Sequence, residues 1–233
     1  MNKLQDYKFF LSIGSSKIKL EAIDINDQIF FSKKSTIDNP SNIFKLDLLE
    51  NFLSNYIFEI EKNLKNYVKD VHLIIDHKDF LFINLSTKYN LGKNKFNLNQ
   101  LNSLLIELKN QFKNTIGDFD VIHMVINKFM VDGKIYPQIN EFTDCDQICL
   151  EIKFICLSRN LVKNLKNILS NYQIMVGDVT CYEYLKDFED FSDRKSAIIA
   201  NKVLNGLNPN EIFFSNKTTK NVSFFEKFFS FFN

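Results

Sequence analysis

The sequence predicts a mixed α/β protein, on three observations. Short apolar runs with partial alternation recur along the chain, as strands require. Three longer segments carry apolar residues at spacings of three and four, as helices require. The two kinds interleave, which layers helices on sheets. Composition fits: 233 residues, 45% hydrophobic and 24% charged, make a globular chain of one large or two small domains. Three prolines and six glycines leave little for linkers. The 25 phenylalanines and the missing tryptophan read first as coding bias. A net charge of +1 gives no electrostatic case for nucleic acid. No apolar run of 18 residues is present, so no membrane-crossing helix is expected. "MNKLQDYKFF" has no apolar core of a secretory signal. Cys145, Cys149, Cys156 and Cys181 form no C-x-x-C pair, so reduced core thiols of a cytosolic protein are expected, without disulfides or a structural metal.

The elements follow in order. "YKFFLSI" (7–13), "KIKLEAID" (17–24) and "QIFFSKKS" (28–35) are three strands joined by turns at "GSS" and "IND". A helix over about 45–68 has Leu49, Phe52, Leu53, Tyr56, Ile57, Ile60, Leu64 and Tyr67 on one stripe. "DVHLIID" (70–76) is a buried strand. A strand at 80–91, a helix at 97–112, and strands at 119–136 and 147–158 form a second group. In the last strand Ile148, Leu150, Ile152 and Phe154 alternate with Glu151 and Lys153. A helix at 159–171 and a strand at 173–181 complete that group, followed by a charged hinge at 186–195 and a short helix at 196–207. Residues 208–221 read as a polar tether.

Candidate sites are few. "SIGSSKIK" (12–19) places a glycine and two serines at a strand–strand turn, where backbone N–H groups and hydroxyls are able to wrap a phosphate; an ordinary hairpin turn has the same pattern. His77, between Asp76 and Asp79, fits a solvated turn better than a metal or acid–base site, and His72 and His123 lie in strands. Glu141, Asp144 and Asp146 lack the spacing of a calcium loop. No catalytic residues, cofactor or metal site are expected: no nucleophile–base pair, P-loop or G-x-G-x-x-G motif occurs. At the end of the chain, Phe224, Phe225, Phe228, Phe229, Phe231 and Phe232 fall on one side of a helix and Ser223, Glu226, Lys227 and Ser230 on the other. Such a helix either docks on the protein's own core or lies in a membrane interface; the polar stretch before it favours the interface.

"VIHMVINKFMVDG" (121–133) resembles a motif of FtsA, a family of bacterial cell-division proteins. Val121, His123, Val125, Phe129, Val131 and Asp132 match it, and Asn127 replaces its usual proline. Lys163, Asn164, Val176 and Asp178 match the next strand–helix–strand stretch of the family. Gly14, Ser15, Ser16 and Lys17 match the first phosphate loop of actin-like ATPases, while Ser12 replaces the aspartate that helps hold magnesium–nucleotide. The resemblance runs from about 7 to 185; no second phosphate loop follows.

The resemblance implies a partial actin-like subdomain 1A (1–78 and 179–207) and an inserted SHS2-like strand–helix–strand–strand subdomain 1C (79–178). A tether (208–221) and an amphipathic membrane-targeting helix (222–233) follow, without subdomains 2A and 2B. Ser12, Gly14, Ser15, Ser16 and Lys17 then form a degenerate phosphate loop, and no nucleotide cofactor is expected. The implied function is a non-catalytic adaptor of the division machinery, peripheral on the inner face of the membrane at the division site. Its partners would be late division proteins, with possible self-association. The site that binds FtsZ in the family belongs to the absent half. A pilus-assembly scaffold like PilM, and an actin-like ATPase completed by oligomerisation, are the alternatives.

Overall fold

The computed structural model describes residues 7–36, 46–96, 98–136 and 142–213. They form a mixed α/β protein with two sheets, in two units.

The first unit comprises residues 1–80 and 157–207. Strands β1 (Lys8–Gly14), β2 (Lys17–Ile23) and β3 (Ile29–Thr36) form an antiparallel meander. Helix α1 (Leu46–Leu64) carries the chain to β4 (Asp70–Asp76), which lies parallel to β1. Helix α3 (Arg159–Asn171) leads to β9 (Met175–Cys181), parallel to β4 on its other side. The sheet order is β3-β2-β1-β4-β9. Burial of β1 and β2 runs unbroken from Phe9 to Ile13 and from Ile18 to Ile23, so both sheet faces are covered. Helices α1 and α3 pack on each other and reach β3 and β9. Helix α4 (Tyr182–Leu185) and α5 (Ser196–Leu204) likewise pack together, against β2 and β4. The stripe foreseen on α1 buries Leu49, Phe52, Leu53, Ile60 and Leu64, but Tyr67 lies beyond its end and is exposed.

The second unit comprises residues 81–156 and 208–233. Its sheet has the order β5-β8-β6-β7, from β5 (Leu81–Phe96), β6 (Phe119–Val131), β7 (Lys134–Tyr136) and β8 (Phe142–Ser158). Helix α2 (Leu98–Ile116) supplies Leu101, Leu105, Leu108 and Phe112 to a core shared with Ile148, Leu150, Ile152 and Phe154 of β8. The rings of Phe112 and Phe154 stack at 3.9 Å. Met124 and Ile126 also face this core, then Phe129 and Val131. That odd step shifts the alternation by one residue at Asn127–Lys128, as an inserted strand residue does.

The structure corrects several sequence expectations. The strand foreseen at 119–136 breaks into a hairpin at Asp132–Gly133, whose φ angles of 47° and 80° are those of a two-residue hairpin turn. The second unit closes at 156 rather than 178, because β9 finds its partner in the apolar run of β4 and α3 packs with α1. The expected hinge at 186–195 is a series of tight turns, including Phe191 N–H to Phe188 O at 3.2 Å and Lys195 N–H to Ser192 O at 2.9 Å. The expected tether at 208–221 begins instead as a docked segment: Glu211 bridges Val125, Ile126 N–H donates to Asn210 O, and Ile212 N–H donates to Met124 O. The cysteines are free thiols, three buried and Cys149 half-buried. Burial pushes the Cys156 thiol up to about 12.

Candidate functional site: a polar pocket at the carboxyl ends of three parallel strands

Strands β1, β4 and β9 run parallel and end together, at Gly14, Asp76 and Cys181. Open α/β sheets place their binding crevices outside such carboxyl ends. A pocket lies there, lined by Ser12, Gly14, Lys17, Lys19, Asp76, Tyr182, Asp193 and Ser196, among others. All belong to the first unit.

Of the foreseen loop residues, the structure brings Ser12, Gly14 and Lys17 to the pocket. Ser15 and Ser16 form the exposed bend between β1 and β2 and do not line it. Ser12 is 7% exposed, and its hydroxyl has no hydrogen-bond partner among the described residues. Gly14 pairs with Asp76 across the parallel ladder. A Cβ at Gly14 would stand 3.3 Å from the Asp76 Cβ, so the missing side chain allows this close approach.

Asp193, from the turns after α4, sits at the centre. Its carboxylate accepts from the Lys17 ammonium and from the Tyr182 hydroxyl. Its backbone carbonyl accepts from Lys19 Nζ at 2.8 Å and from Ser196 Oγ at 3.2 Å. Lys19 Nζ also lies 2.8 Å from Glu21 Oε2, an almost fully buried ion pair. Two ammonium groups flank the Tyr182 ring, Lys17 at 6.0 Å and Lys186 at 5.4 Å from its centroid.

These neighbours shift the ionisable groups in opposite directions. The Lys17 bond, then the Tyr182 bond, holds Asp193 below the usual carboxylate value. Burial raises Glu21 despite Lys19, and burial raises Asp76 despite Lys186 and Lys17. Burial, then the bond to Asp193, raises Tyr182. The phenol is thus kept as a donor.

Sequence reasoning missed Lys19, Glu21, Tyr182, Asp193 and Ser196. The alternation of β2 contained one signal: Lys17, Lys19 and Glu21 occupy every second position of a strand otherwise apolar, so they share one face. The remaining cavity is about 10 Å³, close to one water.

The other foreseen groups lie elsewhere. His72 Nδ1 stands 3.2 Å from Asp178 Oδ2, and its ring stacks on Phe10. His77 accepts from the Asp79 amide at 3.2 Å. His123, in the second unit, is buried with its Nδ1 2.6 Å from Glu211 Oε1. No three His, Cys, Asp or Glu side chains converge as a metal cluster among the described residues. No helix among them is long and apolar enough to cross a membrane. Phe224, Phe225, Phe228, Phe229, Phe231 and Phe232 lie outside the described residues, as does the expected tether from 214 onwards.

Fold and site together define an α/β protein of two sheet units, with a charged pocket where three parallel strands end. No family model and no curated protein matches the chain. Among solved structures, the PilM-PilN type IV pilus biogenesis complex is similar over 78% of this chain and 49% of that chain, at 10% identity and TM-score 0.48. The cytoplasmic domain of EpsL, an inner membrane component of the type II secretion system of Vibrio cholerae, is similar over 77% and 57%, at 11% identity and TM-score 0.35. A protein of unknown function with an actin-like ATPase fold, from Bacteroides thetaiotaomicron, is similar over 80% and 56%, at 14% identity and TM-score 0.34. The chain spans about half the length of these structures.

Proposed function

We propose that this chain is a membrane-associated, non-catalytic adaptor of the bacterial division machinery, an FtsA-like protein with a partial actin-like fold. Its second unit makes the protein contacts. One observation supports the reading most: after α5 the chain returns to the second unit, where Asn210 and Ile212 bond to β6. Eleven residues, Phe213 to Ser223, separate that docking point from the Phe-rich segment, in sequence continuity with the unit assigned to partner binding. A membrane contact made by that segment would hold the second unit near the lipid surface.

The non-catalytic part of the reading is supported by the pocket. Lys17 is already paired with Asp193, and the space left beside it, about 10 Å³, is close to one water. Calorimetry with ATP and magnesium is expected to give no binding; micromolar binding lost in Lys17→Ala would defeat it.

Membrane association is tested by sedimentation with liposomes. The full chain is expected to pellet, and a version ending at Asn221, or Phe228→Glu with Phe232→Glu, to stay in the supernatant. Equal pelleting of all three would sink the anchor. Each fully buried Phe contributes about 1.5–3 kcal/mol, but an interfacial helix buries only part of each ring, so one anchor binds reversibly. The division role is tested separately, by imaging a fluorescent fusion in dividing cells. A band at midcell supports it, and recovery of pilus or secretion proteins by crosslinking, with no midcell band, overturns it.

A further inference from the structure

We propose that His72 and the β9 bulge at Gly177–Asp178 form a proton-operated switch inside the first sheet. The inference does not depend on the adaptor reading. The strand ladder carries the first part of the argument. Val71 pairs with Val176 and Leu73 with Val179, so two steps along β4 match three along β9. The extra residue is a bulge, a device that re-aims local groups and is rare between parallel strands. His72 stands opposite it, between the two paired residues. A Cβ at Gly177 would lie 3.2 Å from the ring's Cε1 and Nδ1, so the absent side chain lets the β9 backbone come up to the imidazole. From β1, Phe10 stacks on the ring at 5.1 Å and holds it in place.

The Nδ1 atom of His72 meets two groups with opposite demands. The Asp178 amide donates to it at 3.3 Å, which needs an unprotonated nitrogen. Asp178 Oδ2 lies 3.2 Å from the same atom, and as an acceptor it needs a protonated one. One nitrogen serves one of them at a time. With the neutral ring protonated on Nε2, the amide is held, and the carboxylate, on a side chain 62% exposed, turns to water. With the ring charged, Nδ1–H donates to the carboxylate and the amide loses its acceptor. Uptake of one proton therefore exchanges a backbone bond at the bulge for an ion pair between β4 and β9. Histidine is the side chain whose charge changes between about pH 5 and 8.

The other ionisable groups on the surrounding elements leave this pair to itself. Asp70 precedes His72 by two residues on β4, and Lys8 precedes Phe10 by two on β1. Asp76 and Cys181 end their strands at the pocket. The packed helices carry Tyr182, Glu183 and Tyr184 on α4 and Lys202 on α5. Glu183 bonds Lys186 at 2.6 Å, and Lys8 bonds Asn201 at 2.9 Å. Among the described residues, Asp178 is the one charged side chain within ion-pair distance of His72.

The experiment follows the full chain by NMR between about pH 5 and 8, the range over which histidine titrates. It reads exchange of the Asp178 amide, corrected for the intrinsic pH dependence of exchange, and the nitrogen shift of His72 Nδ1. The corrected exchange is expected to be roughly 2–10-fold faster at the acid end, the effect of one hydrogen bond. No change, or a loss of protection shared by every amide of β4 and β9, overturns the switch. His72→Phe keeps a ring on Phe10 and cannot titrate, so the step is expected to vanish; a step that persists overturns it. Asp178→Asn keeps the amide and removes the negative charge, so the midpoint is expected to move to lower pH, and an unmoved midpoint overturns it. If His72→Phe fails to fold, the parent's Nδ1 shift decides. A nitrogen unprotonated at the alkaline end and protonated at the acid end supports the switch, and any other pattern overturns it.

Discussion

The two units differ in where their polar groups meet water. The first gathers ammonium, hydroxyl and carboxylate groups at one end of its sheet, where Lys17, Tyr182 and Asp193 remain within reach of water. The second builds a core of Leu, Ile and Phe side chains around α2 and β8. Beside it, the His123–Glu211 pair is sealed, each side chain 2% exposed. A partly hydrated cluster is able to exchange partners at small cost, whereas a sealed pair fixes one arrangement. The first unit therefore has its adjustable chemistry at the strand ends, and the second has its polar pair where a returning segment is held.

Five substitutions would break or sharpen that contrast. The largest effect belongs to Phe154→Ala, which removes a fully buried ring stacked on Phe112. It is expected to destabilise the second unit by about 3–5 kcal/mol. Hydrogen exchange should show β5 and β8 losing protection while β1 and β4 keep theirs; equal loss in both sheets would mean that the two cores do not behave separately.

Glu211→Ala comes next, at about 1–3 kcal/mol, because it leaves His123 buried without that carboxylate. Faster exchange of the Ile126 and Ile212 amides would identify the pair as what fastens the returning segment. Unchanged exchange there would show that the backbone bonds suffice.

Lys17→Ala is expected to change stability by less than about 1 kcal/mol, since its partner carboxylate is largely exposed. A urea midpoint shift as large as that of Glu211→Ala would erase the distinction between the hydrated and sealed clusters.

The smallest effect is one of pH. The His72 bond, opposed by burial, holds Asp178 below its ordinary value of 3.8. Its contribution is therefore present above pH 3.8 and lost as pH falls through the lower folded value. Melting curves between pH 2 and 5 should show a smaller acid loss in Asp178→Asn. Asp76 is raised by burial, so its sign is reversed: stability is lost as pH rises above 3.8, and Asp76→Asn should gain stability at neutral pH relative to acid.

Local periodicity made most elements legible. The stripe of α1 and the alternation of β8 each state which side chains turn inwards. Periodicity names a face but not a partner. Nothing local in "MVGDVTC" says that its neighbour is β4, about a hundred residues earlier, so β9 was expected in the wrong unit. The Asp132–Gly133 turn was readable, because Asp-Gly between apolar runs is a hairpin signal. In the candidate site, Gly14 and Lys17 were legible from the turn chemistry. Asp193 was not, since one acid in a charged stretch gains meaning only when the chain folds it onto Lys17.

The interrupted path of the first unit also has a consequence in time. Strand β4 ends at Asp76, and the strand that covers its far edge ends at Cys181. A ribosome adding about 5–20 residues per second makes those intervening residues in roughly 5–20 s. Throughout that interval the nascent sheet presents the bare edge of an apolar strand, Val71–Ile75, to whatever else is being made nearby. Synthesis of this protein thus has a vulnerable period built into its strand order, and a chaperone that shields strand edges would act on it then, before α3 and β9 emerge.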